Sequence, residues 1–205
     1  MPENRMLALL ERGDWGEDQA LIDGLKTWRF YPLLLETYRT MDEGALYKSK
    51  IHGSGHIHRV LFFAAVLGWQ EDLDEAMVRQ LFHAASYHDV GRTFDGFDLD
   101  HGARSALRLE ALTGETGEDL LRLKAAVTAH ARPDDQMEGI LQSFRPADLD
   151  RARELTRLLK DADNLDRTRL GDLKTKYLRH DAAKALGDFA WRMFRLDQEW
   201  KKRKA

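Results

Sequence analysis

The chain has 205 residues, 43% of them hydrophobic and 33% charged, with a formal net charge of −3 and no cysteine. Enough apolar material is present for a sizeable core. The charge balance excludes a global basic field that recruits nucleic acid, and the lack of cysteine excludes disulfides and thiolate metal sites.

The opening "MPENRMLALLERGDW" carries acidic residues and no long apolar segment, so it does not read as a signal peptide. Over 18–39 an amphipathic period includes Leu21, Leu25, Trp28 and Leu35, and Pro32 must bend or break it. "HGSGH" (52–56) is a glycine-punctuated start to the next helix, with Ser54 or Gly55 as N-cap, and that helix buries Val60, Phe63, Ala64 and Leu67. The longest apolar run, "VLFFAAVLGW" (60–69), is too short to span a bilayer. A further helix covers 73–90 and is stopped by Gly91, followed by the loop "RTFDGFDLD" (92–100). Helices follow over 101–113, 118–131, 147–163 and 181–202, with "ARPDDQMEG" (131–139) as a linker. No internal repeat or low-complexity tract interrupts them. The reading is all-α and a single domain over 1–205. Trp191, Phe194 and Trp200 mark core or a homodimer contact, and the terminal "KKRKA" a solvated tail.

Metal ligands must come from the eight histidines and the carboxylates. His56 opens a helix, with Arg59, Val60 and Phe63 on its face. His88 and Asp89 end the next helix in "SYHDVGR". Adjacent helical residues point about 100° apart, so one ion can use both only near the helix terminus. Asp163 lies in "KDADNLD" (160–166) at the end of a helix that buries Leu155, Leu158 and Leu159. Two imidazoles and two carboxylates form a mixed N/O set that suits Fe, Mn, Zn, Co or Ni better than Ca.

The order His56…His88-Asp89…Asp163 resembles the HD superfamily of metal-dependent phosphohydrolases. "HGSGHIHRVLFFA" resembles its first-ligand helix, "AASYHDVGR" its central His-Asp, and "KDADNLD" its last aspartate. The motif core spans about 52–169, with helical extensions on both sides. The resemblance implies an HD-type helical bundle holding a divalent transition metal on His56, His88, Asp89 and Asp163. His101 and His130 lie between the motifs, and the order H…HD…H…H…D resembles two-metal members. Carried over, Asp89 bridges two ions, and His101 and His130 hold the second. Ions roughly 3.5–4 Å apart can activate a water and clamp the leaving oxygen. A single-metal site with His101 and His130 as phosphate donors stays open as the alternative.

His52 stands four residues before His56, resembling a His-x-x-x-His of cyclic-nucleotide phosphodiesterases, which share this architecture. That likeness implies a general acid, a role its ordinary pKa suits. Arg92 is a candidate for offsetting charge at the reacting centre, and Arg59, Lys160 and Arg167 for binding substrate. His58 is expected at the surface, and His83 and His180 in structural roles. The implied activity is hydrolysis of a nucleotide or other small phosphate ester or anhydride, in the cytoplasm, without membrane or nucleic-acid partners. A di-iron oxygenase and a non-catalytic regulatory or binding module are the alternatives.

Overall fold

The computed structural model describes residues 4–203. Residues 204–205 of the expected solvated tail, and residues 1–3 of the stretch read as lacking a signal peptide, lie outside the described residues. Among the described residues there are α-helices and short 3-10 turns and no strand. Among the described residues no helix is long and apolar enough to cross a membrane.

The helices are α1 (Arg5–Arg12), α2 (Gln19–Thr27), α3 (Tyr31–Thr40), α4 (Ser54–Gln70), α5 (Glu75–Tyr87), α6 (His101–Ala106), α7 (Leu109–Thr113), α8 (Gly117–His130), α9 (Asp134–Phe144), α10 (Leu149–Leu165), α11 (Asp181–Ala185) and α12 (Gly187–Arg203). Helix α4 is the centre. Every residue from His56 to Gly68 is buried, so it has no polar face to show. Helices α5 and α10 pack on it and on each other, α8 packs on α10, and α6 and α9 flank α8. On the other side α1 packs on α12, where Trp15 stacks on Phe62 at 5.7 Å between centroids and on Phe189 at 6.4 Å.

Several expected boundaries shift for identifiable reasons. Pro32 sits in the first turn of α3 rather than bending one long helix. Its missing N–H costs nothing there, and its fixed φ suits a helix start. Gly53, not Ser54 or Gly55, is the N-cap of α4. Helix α5 begins after Asp74, whose side chain accepts from Met77 N at 2.9 Å, and it ends at Tyr87 rather than at 90. The expected 101–113 helix breaks into α6 and α7 at Leu107–Arg108. The expected 181–202 helix likewise divides at Leu186. The "ARPDDQMEG" linker is largely the start of α9, whose Leu141 is buried with Met137, Ile140 and Phe144 against Ala125, Ala129 and Ala152. Trp191 is partly exposed, while Trp200 packs against the core. Lys201 and Lys202 are exposed.

Candidate metal centre

The tight turn after α5 places the His88-Asp89 pair, and α6 holds that turn. Gly91 N donates to Ser105 Oγ at 2.8 Å, Arg104 Nε donates to Gly91 O at 2.9 Å, and Arg108 Nη1 donates to Val90 O. A Cβ on Gly91 would stand 2.3 Å from Ser105 N and 2.6 Å from His101 O. Gly91 is therefore less a helix stop than the residue that lets α6 approach, and His101 is the first residue of α6.

Four imidazoles converge from α4, the end of α5, α6 and the end of α8. Each presents Nδ1 to an acceptor that has no proton to give. His56 Nδ1 faces Asp166 Oδ2 at 2.7 Å and His88 Nδ1 faces Ala85 O at 3.0 Å. His101 and His130 face the carbonyls of Asp98 and Val127. The proton therefore sits on Nδ1, and Nε2 carries a bare lone pair. These lone pairs point at one another, with His56 Nε2 3.2 Å from His88 Nε2 and His101 Nε2 3.1 Å from His130 Nε2. Protonating His88 or His130 is no remedy, because burial pushes His88 down to about 4 and His130 well below its ordinary value.

Asp89 joins the two pairs. Its Oδ2 lies 3.5 Å from His56 Nε2 and 3.8 Å from His88 Nε2, and its Oδ1 lies 3.0 Å from His101 Nε2 and 3.9 Å from His130 Nε2. Asp163 Oδ1 completes the first group, 3.4 Å from His56 Nε2 and 4.0 Å from His88 Nε2.

These residues fit a divalent cation. Asp89 Oδ1 is buried without an aligned hydrogen bond, although Arg92 Nε is only 2.9 Å away. Atoms about 2.0–2.2 Å from one ion are about 3–3.5 Å from each other, close to the spacings seen. Nitrogen and oxygen donors without sulfur suit a divalent transition metal.

The remaining candidates divide. His52 is buried with Nδ1 3.2 Å from Asp89 Oδ2 and 3.3 Å from Arg169 Nη2. Lys160 and Arg167 line a cavity of about 610 Å³ beside His130. Arg59 is not among the residues lining that cavity and instead lines a separate one of about 270 Å³ with His56 and Arg169. It is buried, with Nε 2.6 Å and Nη2 3.1 Å from Asp166 and Nη1 2.8 Å from Asp197. His58, expected at the surface, is buried against Glu43 Oε1 at 3.0 Å and the edge of Tyr38. His83 is partly exposed beside Glu115, and His180 sits between Asp161 and Glu154.

Asp166 was not among the residues the sequence singled out for the site. It is fully buried and orients His56 through Nδ1, the support that metal-ligating histidines usually have. Its only signal is its place in "KDADNLD", one turn after Asp163.

Among families of known proteins, residues 53–168 match the HD domain. No curated protein matches the chain, and no solved structure does.

Proposed function

The chain belongs to the HD domain family, and from that membership we propose that it is a metal-dependent phosphohydrolase acting on a nucleotide or another small phosphate ester or anhydride. The observation that carries this reading is the convergence of four unprotonated Nε2 atoms on the two oxygens of one buried aspartate.

His56, His88, Asp89 and Asp163 would hold one ion, and Asp89, His101 and His130 a second. When bound, divalent ions supply a water of lowered pKa and positive charge for the phosphoryl oxygens. The chain's own residues do the rest. Asp166 and the three carbonyl acceptors keep the imidazoles in the ligating tautomer. With Nδ1–H of His52 held by Asp89, Nε2 is the nitrogen left to face the leaving oxygen, and it can donate a proton there only from the doubly protonated ring. Arg92, beside Asp89 Oδ1, offsets negative charge gathered at the centre.

The test is metal analysis of the purified protein, followed by a nucleotide and phosphoester screen with Mn, Fe, Co, Ni and Mg. Phosphate release that vanishes together with bound metal in Asp89→Ala is expected. Retention of both in that variant overturns the reading, as does O₂ consumption by the iron-loaded protein without phosphate release.

A further inference from the structure

The cavity beside His130 holds more positive charge than one phosphoryl group at the metal centre requires. It measures about 610 Å³, within the range of small-molecule sites, about 300–1,000 Å³. It reaches the centre through His130 and Asn164, the latter adjacent to Asp163, whose side chain is 30% exposed. Six Lys and Arg side chains line it against two Asp.

Most of those cations are already engaged. Asp134 Oδ1 is shared by Lys160 Nζ at 2.8 Å and Arg179 Nη2 at 2.6 Å. Arg167 pairs with Asp172, and Arg132 with Asp100. Lys174 and Lys176 are different. They flank Thr175 in the 3-10 turn Thr175–Tyr177, both are exposed, and neither has a carboxylate at ion-pair distance among the described residues. Lys176 Nζ instead lies 5.0 Å from the centre of the Tyr177 ring, a contact that leaves its charge in place.

Exposed lysines are ordinarily solvated and uninformative. This pair stands on an anchored base. Fully buried Asp161 accepts from the backbone N–H of Arg179 and of His180, each at 2.9 Å, and from Arg179 Nη1 at 2.9 Å. Leu178 is buried beneath the turn. Two unpaired ammonium groups are thus held at the rim of a cationic cavity that opens beside the metal ligands, an arrangement that concentrates anions.

We propose that the substrate carries a second anionic group, separate from the phosphoryl group at the metal centre, and that Lys174 and Lys176 hold it. Resting on the phosphohydrolase reading, the inference narrows the substrate class to molecules with two spaced anionic groups, such as bisphosphates and nucleotides whose phosphate chain extends past the scissile bond.

The test uses probes that the protein cannot hydrolyse. Linear alkane α,ω-bisphosphonates of graded length are titrated calorimetrically into the metal-loaded protein, against alkyl monophosphonates of the same carbon number. The best bisphosphonate is expected to bind at least about tenfold tighter than its monophosphonate, a difference typical of one added ionic contact. In Lys174→Ala/Lys176→Ala that advantage is expected to collapse, whereas in Lys201→Ala/Lys202→Ala it persists. Equal binding of the two probe types, or an advantage that survives loss of Lys174 and Lys176, overturns the proposal. A phosphoester screen separates the two readings. Lysine-dependent binding without phosphate release removes the hydrolytic reading alone, and phosphate release without lysine-dependent binding removes this one alone.

Discussion

His101 and His130 present Nε2 atoms 3.1 Å apart, and each commits its Nδ1 proton to the backbone carbonyl three residues earlier. The pair cannot hydrogen-bond to itself in that state, and a cation shared between the rings would satisfy both lone pairs. Together with Asp89 Oδ1, 3.0 Å from His101 Nε2 and 3.9 Å from His130 Nε2, it would form a second ligand group beside His56, His88 and Asp163. The native protein is expected to bind about two divalent ions per chain. His101→Ala/His130→Ala should retain about one, and Asp89→Ala should lose most of both. Plasma mass spectrometry after dialysis reads the stoichiometry. An unaltered count in the double histidine variant would remove His101 and His130 from the ligand set.

The clamp behind His56 leads to a separate expectation. Asp166 accepts from His56 Nδ1 and from Arg59. Asp166→Asn keeps the shape but weakens the ring's orientation and basicity. Metal affinity is expected to fall about 10–100-fold in competition with a chromophoric chelator, while the circular dichroism spectrum stays native. Arg59→Met should instead act on folding, because it removes the guanidinium that buried Asp166 and Asp197 share and leaves them only Arg169 with His56, and Arg5, respectively, at a cost of up to about 3–5 kcal/mol in denaturant titration.

Much of the site is visible in the sequence because its histidines and aspartates sit near helix ends beside strong apolar periods. Leu155, Leu158 and Leu159 orient α10, and Asp163 follows at its C-terminal end. The supporting groups are hidden because their partners are remote. Arg59 does share the His56 face, as expected, but that face meets Asp166 and Asp197 from distant parts of the chain. Helix α9 escapes the periodic reading because Pro133 and Gly139 punctuate it, and because it packs on alanines rather than on large side chains. His58 departs from its expected surface position for a similar reason. It lies on α4, which is buried on all sides, so the usual surface position two residues past a ligand does not exist there.

Gly91→Ala tests how closely α6 must approach. The added methyl would meet backbone atoms of Ser105, His101 and Arg104, none of which can rotate away. A loss of roughly 1–3 kcal/mol is expected, and the displaced His101 should lower metal stoichiometry even where the protein remains folded. Native stability with full metal content would show that α6 yields easily.

His180 gives a pH dependence that lies away from the metal ligands. Its bonds to Asp161 and Glu154 raise it to about 9, against an ordinary value of 6.5. Between these values the folded state holds a proton that the unfolded chain has released. The stabilisation is therefore complete below about pH 6.5 and disappears as pH rises through about 9. A shift of that size corresponds to about 3 kcal/mol, reduced to about 1–2 kcal/mol by solvent at this half-buried ring. The melting-temperature gap between the native protein and His180→Gln should be wide at pH 6 and narrow toward pH 10. A gap independent of pH would refute the assignment.

One chain of alternating charge remains. Arg5 on α1 holds Asp197 on α12, Asp197 holds Arg59, Arg59 holds Asp166, and Asp166 holds His56. Helices from opposite ends of the described chain therefore share a brace with His56, which would hold the first ion. Loading the ion should guard those helices against fraying and proteolysis, and loosening either one should loosen the grip on the ion.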